Sequence, residues 1–278
     1  MPRFRFAGLP IEVVASQPGD LDDLAPIYAR FATAEPPRLV ITVARVAGFD
    51  REPGPGYPAF ERRATDDGRL RVERYDAEGV VDVAATPVTA TFRVGPSANS
   101  LEACVRIAAS VALARDGAVI LHASAVAHAG RALVFTGVSG AGKSTISSML
   151  ADAYPSCAKI ADELLVLRPT DAGVTLEVPP YLGPAGVAHG ASAPLAAIHF
   201  LVQAPFDRRE PVAPGAALRE LLRHVLVYVA EPTTAARVLE VVAAITATTP
   251  CFHLHFRKDP YVGTVLEIAA PAAGVPAG

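Results

Sequence analysis

The chain has 278 residues, enough to bury a sizeable core in one large domain or two modest ones. Apolar residues make up 51% and charged residues 19%, a balance that excludes an intrinsically disordered protein. The formal net charge of −3 argues against nucleic acid as an obligate partner. Since no run approaches the ~18–20 apolar residues of a membrane span, and the N-terminus lacks the apolar stretch of a signal peptide, we expect no membrane partner and a cytoplasmic location.

The three cysteines are Cys104, Cys157 and Cys251. They are odd in number, far apart and without the spacing of a metal site. We therefore predict buried free thiols in a reducing compartment.

The first 96 residues predict a small α+β domain. Gly95-Pro96-Ser97 marks its expected boundary, so we predict domains over 1–96 and 97–278. The predicted elements of the first domain are strands over 4–6, 11–15 and 39–43, a helix over 21–31, and an antiparallel meander between 69 and 94.

The second domain alternates strand and helix patterns. Its predicted helices cover 101–114, 144–153, 218–229 and 235–245. Its predicted strands cover 118–127, 132–136, 157–161, 197–202 and 251–256, with a hairpin turn at 171–173. The Pro- and Gly-rich segment 179–194 is expected to be a loop that is mobile or faces substrate.

Residues 137 to 145 read Gly-Val-Ser-Gly-Ala-Gly-Lys-Ser-Thr and fit the phosphate-binding loop pattern G-x-x-x-x-G-K-[ST]. Glycines let backbone N–H groups turn toward phosphate oxygens, Lys143 supplies a point charge, and the Ser144 hydroxyl can ligate Mg²⁺. An apolar strand before the loop and a helix after it disfavour the alternative of a structural glycine turn. We expect ATP and Mg²⁺ to bind here, with a nucleotide-binding set of Gly137, Ser139, Gly140, Ala141, Gly142, Lys143, Ser144 and Thr145.

A hairpin brings a histidine to this loop. The strands over 118–127 and 132–136 flank the short turn His128-Ala-Gly-Arg131. If Ala127 faces Ala132, cross-strand partners have numbers that add to 259, and His122 lies opposite Gly137. His122 would then contact the transferring phosphate or the attacking hydroxyl. The alternative is a histidine with a purely structural role on its strand.

Two acids, Asp162 and Glu163, follow the predicted strand over 157–161. Nucleotide enzymes commonly place a carboxylate at such a point to hold Mg²⁺ or to activate a nucleophile. Because side chains alternate along a strand, both need not face the site. The alternative is an exposed acidic turn.

Weaker signals come from three other places. Arg208-Arg209 would supply an extra cation for phosphoryl transfer, although a surface charge pair is usually solvated. His253 and His255 alternate on one strand and would share a face as metal ligands, but no third ligand is near in sequence, which favours a structural role. His224, on the predicted helix over 218–229, is expected to have no chemical role.

Taken together, Leu121-His-Ala-Ser-Ala-Val126, the hairpin, the phosphate-binding loop and Ala161-Asp-Glu163 resemble the HPr kinase/phosphorylase superfamily. The match is closer to its HPr-kinase-like serine kinases, some of which occur in lasso peptide gene clusters. The resemblance implies an α/β (α+β) fold with a mixed sheet, whose P-loop core is akin to phosphoenolpyruvate carboxykinase. It also implies catalytic roles for Lys143, for His122 at the γ-phosphate and for Asp162 as general base, with Ser144, Asp162 and Glu163 at the metal.

The chain departs from the family at several positions. The second acid is Glu163 where the family usually has Asp, and Val138 stands where HPr kinases carry an acid. The Leu-Glu-x-x-Gly signature is missing, and Pro179-Pro-Tyr-Leu-Gly183 is the nearest candidate for it. These departures weigh against phosphorylase activity and against HPr as substrate.

We therefore expect an ATP- and Mg²⁺-dependent kinase that phosphorylates a serine-type hydroxyl of a peptide, a protein or a small molecule. The alternatives are a nucleotide-binding regulatory module and a general P-loop ATPase of the parallel-sheet type. The acceptor's identity and any homo-oligomer formation do not follow from the sequence.

Overall fold

A computed structural model describes residues 3–22, 28–49, 61–64, 69–180, 182–183, 186–187, 191–226 and 231–268. The chain divides into two compact units. The first unit contains residues up to Gly117 with 180–182 and 227–238, and the second contains 118–179, 183–226 and 239–278. Both are built on a mixed sheet, so the protein is a mixed α/β protein.

The sheet of the first unit has the strand order β1-β2-β3-β7-β6-β5-β4. Strands β2, β3 and β7 are parallel neighbours, and the other pairs are antiparallel. The predicted meander is confirmed as β5, β6 and β7. The seven strands are β1 (Arg3–Phe6), β2 (Leu9–Ala15), β3 (Leu39–Arg45), β4 (Glu61–Ala64), β5 (Leu70–Arg74), β6 (Ala77–Asp82) and β7 (Val88–Val94).

Helix α1 (Ala98–Arg115) packs on this sheet, mainly against β7 and β3. It begins three residues before the predicted start because the Ser97 side chain caps it by accepting a hydrogen bond from the Asn99 N–H. Of the predicted helix over 21–31, residues 23–27 lie outside the described ranges, and Ala29–Phe31 form a 3-10 helix.

The sheet of the second unit has the order β11-β10-β8-β9-β14-β16-β15. Strand β11 also pairs with β14, so five of these strands close into a ring. The seven strands are β8 (Val119–His128), β9 (Arg131–Thr136), β10 (Cys157–Thr170), β11 (Gly173–Glu177), β14 (Ser192–Gln203), β15 (Arg208–Pro211) and β16 (Cys251–Phe256). The short strands β12 (Leu182–Gly183) and β13 (Gly186–Val187) form a separate two-stranded sheet.

Strand β9 lies between the antiparallel β8 and the parallel β14. This mixed arrangement differs from the sheet of an all-parallel P-loop ATPase. The β8–β9 register is as predicted, with Ala127 opposite Ala132 and Ala123 opposite Thr136. The turn is shorter than predicted: His128 pairs with Arg131, and Ala129 and Gly130 alone make the turn, both with positive φ as in a type I′ hairpin.

The remaining helices are α2 (Lys143–Ala153), α3 (Pro214–Leu222), α4 (Pro232–Thr248) and the short α5 (Val262–Val265). The predicted helix over 218–229 is wrong for 223–226, because α3 ends at Leu222 and Val225 forms a β-bridge with Leu121; residues 227–229 lie outside the described ranges. The three cysteines are buried free thiols, as predicted. In the described ranges, no helix has the length and apolar character needed to cross a membrane.

Helix α2 closes the core of the second unit. Its residues Ile146 and Leu150 are fully buried against Phe135 of β9 and Phe256 of β16. This packing fixes the start of α2 at the end of β9, where the glycine loop connects them.

Candidate functional site

The glycine loop joins β9 to α2 in a strand–loop–helix arrangement. Gly140 (φ 78°) and Gly142 (φ 100°) adopt left-handed conformations that other residues rarely reach. Gly142 also packs against the Phe256 ring, since a Cβ there would lie 2.8 Å from the ring's Cζ. The Gln203 side chain donates to the Gly140 carbonyl at 2.8 Å and braces the middle of the loop.

Lys143 lies at the first position of α2 and is only 9% exposed. Its ammonium group donates to the carbonyls of Gly137 (3.1 Å) and Val138 (3.2 Å), so it crosses the mouth of the loop. The buried Ser124 hydroxyl on β8 donates to the Lys143 carbonyl at 2.6 Å. Burial lowers the pKa of Lys143, while negative Glu163 and Asp162 oppose that shift.

Ser144 and Asp162 are in direct contact. The Ser144 hydroxyl donates to Asp162 Oδ1 at 2.7 Å, and the Lys159 ammonium donates to Asp162 Oδ2 at 2.6 Å. The predicted strand end before Asp162 is wrong: β10 continues to Thr170, and Asp162 lies inside it opposite Ser124. A register shift between Lys159 and Ala161 precedes it in the pairing with β8.

Glu163 has φ 90°, a left-handed conformation that is costly for a non-glycine residue. The strained residue directly follows Asp162 in β10. Burial lowers the pKa of both Lys143 and His122, and the negative charges of the two acids oppose that shift. The two carboxylates therefore contribute negative charge to the same site.

His122 lines a cavity of about 380 Å³ together with the first loop residues Gly137, Val138 and Ser139. The Thr136 hydroxyl donates to its backbone carbonyl at 3.1 Å, which ties the two strands together at this point. Burial lowers the pKa of His122 and the Lys143 charge lowers it further, against the opposing acids. The imidazole is therefore neutral at pH 7, able to accept or donate a hydrogen bond.

Sequence reasoning missed three side chains of this cavity, Glu220, Arg223 and His224. They are brought there because the backbone after α3 pairs with β8 beyond the end of β9: the His122 N–H donates to the His224 carbonyl at 3.0 Å. The helical spacing of apolar residues concealed this change. A usable signal was the polar Arg223-His224 followed by the β-rich run starting at Val225. Burial lowers the pKa of His224. The negative charge of Glu220 opposes that shift, and the positive charges of Lys143 and Arg223 add to it.

The remaining weaker candidates do not line the His122 cavity. Arg208 pairs with Glu210 on the surface, and the Arg209 guanidinium lies 3.6 Å from the centre of the Phe252 ring. His253 contacts Glu220 at 2.8 Å, and His255 contacts Glu210 at 3.3 Å. Neither histidine joins a cluster of three or more metal-binding side chains within the described residues.

The donor set at Ser144 and Asp162 fits Mg²⁺, which prefers hydroxyl, carboxylate and water oxygens and commonly uses one or two carboxylates. Glu163 is the adjacent carboxylate.

No protein-family model matches the chain, and no curated protein matches it at a significant level. Among solved structures, the chain is similar to the Hpr(Ser) kinase/phosphatase from Coxiella burnetii, with 14% sequence identity and a TM-score of 0.32. The similarity covers 53% of this chain and 93% of that chain. A similarity of this size establishes neither the fold nor the function of this chain, so a functional proposal has to rest on the chain's own residues.

Proposed function

We propose that this chain is an ATP- and Mg²⁺-dependent kinase with a P-loop core of the HPr kinase/phosphoenolpyruvate carboxykinase type. It would transfer the γ-phosphate to a serine-type hydroxyl of a peptide, a protein or a small molecule. The observation that carries the proposal is the 2.7 Å hydrogen bond between Ser144 Oγ and Asp162 Oδ1. In P-loop enzymes a hydroxyl at this loop position and a carboxylate on a nearby strand together hold Mg²⁺.

Each residue of the site has a separate task in this proposal. Backbone N–H groups of the loop bind phosphate oxygens, and Lys143 turns its ammonium group to the outer phosphates. Ser144 and Asp162, with Glu163 beside them, hold the metal ion. Mg²⁺, when bound, neutralises negative charge on the phosphate oxygens.

The acceptor approaches through the cavity that His122 shares with the start of the loop. Asp162 takes the proton from the acceptor hydroxyl as the new bond between its oxygen and the γ-phosphorus forms and the bond to the β-phosphate oxygen breaks, releasing ADP. Neutral His122 hydrogen-bonds the transferring group, and Arg223 in the same cavity contributes a cation that stabilises its charge.

The test is mass spectrometry of serine-containing peptides and small hydroxyl compounds incubated with protein, ATP and Mg²⁺. Asp162→Asn should reduce phosphoryl transfer by about 10²–10⁴-fold, while ATP affinity measured without Mg²⁺ stays within a few-fold of wild type. Asp171→Asn, an exposed aspartate just past the far end of β10, is the matched control and should behave as wild type. Undiminished transfer by the Asp162 variant would contradict the proposed role.

The same assay separates the alternatives. Tight ATP binding with slow hydrolysis and no phosphorylated acceptor would favour a nucleotide-responsive regulatory module or a P-loop ATPase. The mixed sheet around β9 and the position of His122 in the loop's cavity are the observations that favour the kinase.

A further inference from the structure

A second cavity, of about 670 Å³, lies along helix α2. Its wall on the helix includes Thr145, Ser148, Met149 and Asp152, and the segment after β16 adds Lys258 and Pro260. The volume falls in the range of small-molecule sites, roughly 300–1,000 Å³. Ser144 and Thr145, at one end of this cavity, belong to the nucleotide-binding set, but the proposed reaction gives the rest of its lining no task.

The two cavities are lined by opposite ends of the phosphate-binding loop. The His122 cavity is lined by Gly137, Val138 and Ser139 at the start of the loop, and the second cavity begins at Ser144 and Thr145 just past its end. If the acceptor enters beside His122, the γ-phosphate faces that side. The rest of the phosphate chain must then extend over the start of α2 toward Thr145.

We propose that the second cavity binds the nucleoside half of ATP, an inference that rests on the proposed kinase function. The half-buried Met149 thioether and the Pro260 ring offer polarisable, apolar surfaces to a flat base. The exposed Asp152 carboxylate accepts hydrogen bonds from ribose hydroxyls. Lys258 supplies a cation at the inner phosphate.

The wall opposite the helix is held in place by α2 itself. Tyr154, the buried residue that ends the helix, donates from its hydroxyl to the Pro260 carbonyl at 2.8 Å. Gly263 lies so close to the Tyr154 ring that a Cβ there would approach it to 2.2 Å. The two walls are therefore fixed relative to each other before a ligand arrives, which reduces the entropic cost of binding.

The experiment compares two ligands by calorimetry: Mg²⁺–ATP, and Mg²⁺–tripolyphosphate, which lacks a nucleoside. Met149→Ala should weaken ATP binding about fivefold to tenfold, and Asp152→Asn about threefold to tenfold. Tripolyphosphate affinity should stay within about twofold of wild type in both variants. Asp152 is exposed, so its variant remains informative if Met149→Ala fails to fold. Leu239→Ala, an exposed leucine on α4, and Asp171→Asn are the controls.

Equal weakening of both ligands, or no weakening of ATP, would overturn the nucleoside assignment while leaving the kinase proposal standing. An unchanged ATP affinity with a raised KM for the acceptor would also overturn it, since the cavity would then hold the acceptor. Wild-type protein that binds neither ligand would instead contradict the proposed function, and this inference with it.

Discussion

The two units differ in how regular their strands are. In the first unit, β7 alternates regularly between buried and exposed residues, and its exposed Arg93 pairs with Glu78 of the neighbouring strand. In the second unit, β10 has a register shift and the strained Glu163, next to the contact between Asp162 and Ser144. Regular alternation serves stability, whereas the strain in β10 lies beside the proposed functional site. Substitutions should therefore separate stability from nucleotide binding in the two units.

The largest effect is expected at Lys143. Lys143→Ala should raise the Kd for Mg²⁺–ATP about 100-fold, because a charge-assisted contact to phosphate is lost. Lys143→Arg should also bind poorly, since the planar guanidinium does not match a cradle shaped for an ammonium point charge. Calorimetry measures both, with the exposed Arg208→Ala as the control cation. Near-wild-type affinity in the Ala variant would show that the loop does not bind phosphates.

Gly142→Ala should weaken Mg²⁺–ATP binding by about 5–100-fold, corresponding to about 1–3 kcal/mol of backbone strain at φ 100°. The added Cβ would also press on the Phe256 ring. Gly215→Ala in α3, where a Cβ would meet nothing within 4 Å, is the matched control. Comparable affinity in the two variants would argue against a conformational requirement at Gly142.

Gly79→Ala should act on stability alone. A Cβ at Gly79 would lie 2.3 Å from both Phe92 Cδ1 and the Thr91 carbonyl oxygen, so the sheet must shift at a cost of about 1–3 kcal/mol. Chemical denaturation should show this loss, while Gly48→Ala, in open space, should show little. The Kd of the folded Gly79 variant for ATP should match that of wild type. A large change would show that this substitution affects nucleotide binding as well as stability.

The smallest effect concerns pH. Burial lowers the pKa of His199 to about 3, and its Nδ1 lies 3.3 Å from the Val134 carbonyl between two phenylalanine rings. The folded state keeps His199 neutral, so protonation favours the unfolded state. The free energy of unfolding is therefore at its full value above the unfolded pKa of about 6.5 and falls below that pH, by up to about 1.4 kcal/mol per pH unit.

His199→Phe should therefore flatten the fall in unfolding free energy between pH 7 and pH 5, measured by denaturant titration. The same substitution at the half-buried His128 is the control. Identical pH slopes for wild type and the His199 variant would contradict the assignment.

Parts of this structure follow from sequence and parts do not. The β8–β9 register was predictable because a short turn at Ala129-Gly130 leaves little freedom in pairing. The continuation of β10 past Asp162 was not, since Glu163 carries no sequence mark of its left-handed conformation. The end of α3 at Leu222 was concealed because Val225 and Leu226 keep a helical spacing in the sequence while their backbone pairs with β8.

The segment after α3 pairs with β8, and the backbone amide of His122 takes part in that pairing. Its amide proton is donated to the His224 carbonyl, and the Leu226 amide returns a bond to Ile120. Hydrogen–deuterium exchange at these two amides thus reports directly whether the Arg223 side of the cavity is docked. A ligand that secures this side should slow both exchange rates together.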